Sequence, residues 1–98
     1  MAERTLLEDS DRDARLATVS EWARDGAWLV RSYEFEDFDR AMDFINAVAD
    51  VARELDHHPN LSNVYNQVEL RVSTHDAGGL TALDFEFATR VSQLEFVG

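Results

Sequence analysis

The segment from residue 38 to residue 55 constrains the fold most, because it has the pattern of a long amphipathic helix. Asp37 precedes it as a candidate N-cap. A stripe about 100° wide is enough to pack one helix on a sheet. The apolar stripe here is wider, which predicts a further contact with another helix or another subunit. It contains Phe38, Ala41, Met42, Ile45, Val48, Ala49, Ala52 and Leu55, and it is widened by Phe44, Ala47 and Val51.

The segments on either side have the patterns of β-strands. Residues 27–35 are rich in aromatic and β-branched side chains. Residues 68–75 alternate, so one face carries the apolar side chains and Thr74. A short strand is predicted at 64–66, and an additional early strand is left open. We therefore expect an α+β fold, a two-layer sandwich in which about three helices pack mainly on one face of an antiparallel four-stranded sheet.

The two ends of the chain complete this prediction. Residues 1–15 carry eight charges and little periodicity, so we expect a mobile acidic N-terminal tail. Residues 16–98 are then a single domain. A first helix is predicted where Leu16, Val19, Trp22 and Ala23 have helical spacing, with Gly26 closing it. Thr81 is expected to begin the last helix.

Composition excludes several classes of function. The chain has no cysteine, which removes disulfides, thiolate catalysis and thiolate metal sites. The net charge of −11 repels phosphates and anionic lipid surfaces, so we expect no nucleic acid or membrane partner. No run of 18 apolar residues and no signal-like N-terminus occurs. The expected location is cytoplasmic.

All three histidines, His57, His58 and His75, fall within 19 residues, and the first two precede the only proline, Pro59. A metal site is the less favoured interpretation, because side chains at i and i+1 diverge and no carboxylate has the spacing of known zinc motifs. Proton transfer is favoured, since histidine titrates near neutrality. The remaining alternative is that these are surface histidines without a function.

The stretch "LDHHPNLSNVYNQVELRVSTHDAGGLTALD" resembles the pterin-4a-carbinolamine dehydratases, also called 4a-hydroxytetrahydrobiopterin dehydratases. That family combines His-His-Pro, an aromatic residue six positions later, a histidine ten further on and an aspartate nine after that. Here Tyr65, His75 and Asp84 have this spacing. The resemblance extends upstream through "WLVRSYEFEDFDRAMDFINAVADVA", and it covers roughly residues 18–96 without gaps.

This resemblance implies a hydro-lyase that removes water from a 4a-hydroxytetrahydropterin and needs no cofactor or metal. For this reaction His57, His58 and His75 are the expected catalytic residues; we assign His57 and His75 as the acid–base pair and His58 as the binding and orienting partner, and the individual roles could be exchanged. Pro59, Tyr65 and Asp84 are the expected substrate-binding residues. Asp84 also has the spacing of a helix cap with Thr81, so a purely structural role is left open beside one in orienting His58 or a ring nitrogen. The family also implies a homo-oligomer, dimer or tetramer.

Two departures from the family pattern keep other functions open. Arg53 stands where the family often has an acidic or other polar residue, which puts in doubt an orienting carboxylate for His57. Leu61 stands where an aromatic residue is common, which bears on stacking against the pterin. The alternatives are a non-catalytic interaction module of the same fold and a dehydratase that acts on a different, molybdopterin-related pterin.

Overall fold

The computed structural model describes residues 4–94 of the chain. Two long helices and a short N-terminal helix accompany four strands, and a 3-10 turn (His75–Ala77) follows the last strand. No helix among the described residues is long and apolar enough to cross a membrane. In chain order the elements are α1 (Asp9–Leu16), β1 (Ala23–Asp25), β2 (Trp28–Glu34), α2 (Phe38–Leu55), β3 (Asn60–Val64), β4 (Gln67–Val72) and α3 (Ala82–Ser92).

The strands form one antiparallel sheet in the order β1-β2-β4-β3. Asn60 pairs with Arg71 at one end of the β3–β4 hairpin, and Val64 pairs with Gln67 at the other. The residues before β3 and those after β4 therefore leave the sheet at the same end. This register places the His-His-Pro loop beside the end of β4 that leads to His75.

One hydrophobic core lies between the sheet and the helices α2 and α3. The predicted alternation along β4 is confirmed, since Val68, Leu70, Val72 and Thr74 are buried. Their helical neighbours in the core include Phe44 and Phe87, both fully buried. The predicted α+β sandwich with a four-stranded antiparallel sheet is thus confirmed.

The width of the α2 stripe is accounted for within one chain. Phe44 and Val51 are both buried, and α2 packs against α3. An ion pair between Glu54 and Arg90 links the exposed edges of the two helices. Helix α3 therefore covers the widened part of the stripe, whereas Phe38 at its start is 44% exposed, and self-association stays a prediction.

The predicted first helix is wrong in position. Helix α1 ends at Leu16, where the prediction had the helix begin, and β1 occupies residues 23–25. Val19 and Trp22 lie in turns, and their side chains are buried in the core. Their helical spacing therefore reflects the burial of two loop residues and not one face of a helix. Gly26, with φ of +59°, closes the β1–β2 hairpin rather than a helix.

Helix α1 has no fully buried residue, packs against the core through Leu16, and carries local ion pairs. Arg12 pairs with Asp9, and Arg15 pairs with Asp11, at helical spacing. Residues 9–15 of the predicted tail therefore belong to a helix, while residues 1–3 lie outside the described residues. The mobility expected of the tail stays a prediction.

Strand β3 begins four residues earlier than predicted and ends at Val64. Its polar residues have low β-propensity, but pairing of Leu61 with Leu70 and Asn63 with Val68 holds them in the sheet. Tyr65 has a positive φ of 51° in the two-residue turn that follows. Strand β4 correspondingly ends at Val72, and His75 begins the 3-10 turn.

Candidate active site

The loop after α2 turns the two adjacent histidines in different directions. Asp56 ends the helix in the left-handed conformation, with φ of 50°. The backbone N–H of His57 then donates to the Ala52 carbonyl at 3.0 Å, which closes the helix end. His57 is only 7% exposed, whereas His58 is exposed to solvent. The first histidine is thus a fixed buried group and the second is accessible.

The imidazole of His57 is held by a fully buried carboxylate. Its Nε2 lies 2.6 Å from Oδ1 of Asp84, which sits in the first turn of α3 and is 0% exposed. An ionised carboxylate only accepts hydrogen bonds, so opposite an ionised Asp84 the His57 Nε2 is the donor and Nδ1 is the ring nitrogen that does not face the carboxylate. This is the arrangement in which a carboxylate fixes the tautomer and orientation of a catalytic histidine.

The second oxygen of Asp84 is held from two other directions. Its Oδ2 accepts the backbone N–H of Thr81 at 2.8 Å and the hydroxyl of Thr74 at 2.8 Å. Thr81 and Asp84 form the predicted capping box. The structural interpretation of Asp84 and its role beside a histidine therefore hold together, because each oxygen serves a different purpose.

The same carboxylate brings the two histidine-bearing segments together. Thr74 is buried two residues after the end of β4, and its neighbour His75, the first residue of the 3-10 turn, is exposed. Asp84 thus links the His57 ring to the residue directly before His75. The sequence predicts that Asp84 orients His58 or a ring nitrogen, whereas in the structure Asp84 is hydrogen-bonded to His57.

The structure shows where the two residues that depart from the family pattern, Arg53 and Leu61, are located. Arg53 is exposed and pairs with Asp50 on the surface of α2, so it is not part of the buried cluster. The doubt about an orienting carboxylate is answered by Asp84, which comes from a different helix. Leu61 is 38% exposed on β3, near the His-His-Pro loop in sequence.

Two predicted substrate contacts lie in different places. Pro59 is half-buried directly after the histidine pair. Tyr65 is 63% exposed at the opposite end of β3. A strand advances about 3.3 Å per residue, so the backbones of Pro59 and Tyr65 lie roughly 20 Å apart. Within one chain the structure does not bring Tyr65 to the histidines.

The hydroxyls of Thr74 and Thr81 are the site residues that sequence reasoning missed. Thr74 was predicted only to lie on the inward face of a strand, and Thr81 was predicted only as the helix cap of Asp84; the contact between the two hydroxyls was not predicted. Their oxygens lie 2.7 Å apart. A threonine among valines on a buried strand face needs a hydrogen-bond partner, and this was the available signal.

Two depressions on the described surface lie away from this cluster. One of about 390 Å³ lies at the sheet and is lined by residues that include Ser32, Glu34 and Glu69. Another of about 320 Å³ lies between α2 and α3. Neither is lined by a histidine. Residues 4–94 also contain no group of three or more histidines and carboxylates able to hold a metal ion.

Comparison with known proteins decides the family. The family model described as pterin 4 alpha carbinolamine dehydratase matches residues 5–94. The chain belongs to this family. A homologue from Novosphingobium aromaticivorans that carries the family name is 50% identical over 84 residues, covering 84% of this chain and 88% of that protein. One from Koribacter versatilis is 40% identical over 88 residues, covering 90% and 94%.

Solved structures of pterin dehydratase relatives agree with the fold. A Brucella melitensis protein described as a transcriptional coactivator/pterin dehydratase superposes with a TM-score of 0.83 at 33% identity, covering 88% of this chain and 94% of that one. A pterin dehydratase-like protein identified as a RuBisCO assembly factor in the alpha-carboxysome has a TM-score of 0.58 at 21% identity, covering 71% and 81%. The second likeness concerns the fold alone.

Proposed function

We propose that this pterin carbinolamine dehydratase family member removes water from a 4a-hydroxytetrahydropterin, giving the quinonoid dihydropterin. The observation that carries the proposal is the buried His57–Asp84 pair, joined through Thr74 to the segment that bears His75. Family membership supports the reaction class, and the pair supplies a histidine held in one orientation. The proposed reaction needs only proton transfers, for which histidine is well suited.

In the proposed reaction one group protonates the departing 4a-hydroxyl and another takes the proton from ring N5. The C4a–O bond breaks, water leaves, and the N5–C4a double bond forms with the electrons released at N5. We assign His57 and His75 to these two transfers. Asp84 supports the charged imidazole that forms when His57 takes a proton. His58, which is exposed, is assigned to binding and orienting the ring.

The assay that tests the proposal follows the loss of carbinolamine absorbance with and without the protein. Carbinolamines that differ in the side chain on the pterin should be compared, including a molybdopterin-related one. We expect the protein to accelerate dehydration of a 4a-hydroxytetrahydropterin. A rate equal to that in buffer for every substrate would contradict the proposal and favour the interaction module, a role that has precedent in this fold because one relative is described as an assembly factor.

We further propose that the chain self-associates along β3, and three observations support this. Strand β3 is an open edge of the sheet, and Val64 on it is 73% exposed. Residues 57–68 contain no Asp, Glu, Lys or Arg in a chain of net charge −11. Open edges are normally protected by charges, so an uncharged one is suited to pairing with a second copy.

A further inference from the structure

Asp84 receives hydrogen bonds from three parts of the fold. His57 comes from the loop after α2, and Thr81 belongs to the first turn of Asp84's own helix. Thr74 lies two residues after the end of β4. Among the contacts of this carboxylate in residues 4–94, the Thr74 hydroxyl is therefore the one that ties it to the sheet.

The hydroxyl of Thr74 can donate only one hydrogen bond. It has a single hydrogen and contacts both Oδ2 of Asp84 at 2.8 Å and Oγ1 of Thr81 at 2.7 Å. The direct contact from Thr81 Oγ1 to Oδ2 is longer, at 3.4 Å. The better geometry has Thr81 donating to Thr74 and Thr74 donating to Asp84. Donation then runs from Thr81 to Thr74 and from Thr74 to Asp84, and the other oxygen of the same carboxylate accepts from the His57 ring.

We propose that Thr74 is a positioning residue, whose hydroxyl fixes the Asp84 carboxylate and through it the orientation and tautomer of His57. Thr74 also directly precedes His75, so one residue sets the relation between the two histidines assigned to proton transfer. A hydrogen bond to a charged group in a buried site is among the stronger ones. The catalytic part of this inference rests on the proposed dehydratase function, whereas the effect on the His57 ring does not.

The test compares Thr74→Val, which keeps the branched shape and removes the hydroxyl, with Thr74→Ser, which keeps the hydroxyl. Thr74→Ala serves as a second hydroxyl-free variant if the valine variant does not fold. Val72→Ala is the matched control, because Val72 is fully buried on the same face of β4 and touches the core rather than the cluster. The first measurement is the NMR signal of the His57 Nε2–H and its exchange with solvent.

We expect the parent protein, Thr74→Ser and Val72→Ala to share one protected Nε2–H signal. In Thr74→Val that hydrogen should exchange at least about 10-fold faster, which is the effect of losing roughly 1.4 kcal/mol of protection. An unchanged signal in the hydroxyl-free variants would overturn the inference. An equal loss of protection in Val72→Ala would also overturn it, because the effect would then be a general one of core damage.

The second measurement is steady-state turnover of the carbinolamine by the same variants. We expect kcat of Thr74→Val to fall about 10-fold with KM changed less than about 2-fold, and Thr74→Ser to recover most of the loss, since a misplaced proton carrier affects the chemical step. An equal kcat in Thr74→Val and the parent would contradict the catalytic part. If the parent itself shows no turnover, the proposed function fails, and the His57 ring signal still decides the role of Thr74.

Discussion

Asp84 and Tyr33 both have buried side-chain oxygens, but the hydrogen bonding of these oxygens differs. Both oxygens of Asp84 have hydrogen-bond partners from three segments of the chain. The hydroxyl oxygen of Tyr33 on β2 is buried and has no hydrogen bond of standard geometry among the described residues, although the Arg31 guanidinium lies beside it, 4.2 Å from the ring centroid. The Tyr33 ring instead packs against Phe44 and Phe35, with centroid separations of 4.4 and 5.9 Å. Burial raises the pKa of Tyr33 to about 12, against the opposing effect of the nearby Arg31.

This difference distinguishes Asp84, a residue of the candidate site, from Tyr33, a residue that packs against the hydrophobic core. An unpaired buried hydroxyl is tolerated where the ring contributes the packing, and its loss costs little. A buried carboxylate is costly unless it is fully paired, so its presence indicates a requirement other than packing. In this chain Asp84 both caps α3 and holds His57, and we propose that the orientation of His57 is this requirement. The predictions below test the contrast.

The largest effect is expected for Asp84→Ala, which leaves the Thr74 hydroxyl, the Thr81 N–H and the His57 ring without their acceptor. Removing one partner of a buried pair costs about 3–5 kcal/mol of unfolding free energy. Urea denaturation measures it, with Glu86→Ala, a half-buried carboxylate on the same helix, as the control. An equal, small loss in both variants would show that Asp84 is an ordinary helix carboxylate.

His75→Ala should act on turnover rather than on stability, because the side chain is exposed. The loss of a general acid or base lowers the rate by about 10²–10⁴. Turnover is measured together with the unfolding free energy, which we expect to change by less than about 0.5 kcal/mol. Activity within twofold of the parent would remove His75 from the acid–base pair.

A third prediction concerns the exposed end of the hairpin, far from the buried cluster. Val64→Lys places a charge on the open edge of β3 and should prevent edge pairing. Light scattering after gel filtration should then report the mass of one chain, 11.2 kDa, where the parent reports a multiple of it. Glu36→Gln changes the net charge by the same amount in an exposed loop and should leave the parent assembly intact. Equal masses for the parent and Val64→Lys would exclude pairing along β3.

The smallest effect is expected for Tyr33→Phe at neutral pH. Removing an unpaired buried hydroxyl should leave the unfolding free energy unchanged or raise it by up to about 1 kcal/mol. A loss as large as that of Asp84→Ala would show that the Tyr33 hydroxyl has a partner after all, and the contrast between the two regions would fail.

The same variant should differ from the parent at alkaline pH. The pKa of Tyr33 rises from 10.0 in the unfolded chain to about 12 in the folded one. Between these values the unfolded chain has lost the phenol proton and the folded chain still holds it, so the stability of the parent falls as pH rises. Tyr33→Phe lacks this contribution and should show a shallower fall between pH 10 and 12. Identical slopes would contradict the raised pKa.

The sheet and long helices were predictable because their patterns reflect burial on one face. Residues 38–55 and 68–72 have clear periodicity, and both became the expected elements. The strand predicted at 27–35 was found as β2, but the helix predicted to begin at Leu16 was wrong, since the spacing of Val19 and Trp22 reflects two buried loop residues rather than a helix face. Strand β3 was placed too late, because cross-strand pairing outweighs the low propensity of its polar residues.

The candidate site was predictable as a set of residues but not as an arrangement. The clustering of the histidines and the family resemblance pointed to His57, His75 and Asp84, yet they did not show which histidine the carboxylate holds. That depends on the left-handed turn at Asp56, which directs the His57 ring inward. Spacing also could not show that Tyr65 lies at the far end of its strand, because strand boundaries were misplaced by several residues.

The most direct test of the central claim is the rate of carbinolamine loss with the parent protein and with the double variant His57→Ala, His75→Ala. The account predicts that the parent accelerates dehydration and that the double variant, confirmed as folded by circular dichroism, gives the rate measured in buffer. A folded double variant that keeps the parent rate would contradict the assignment of these two histidines to proton transfer.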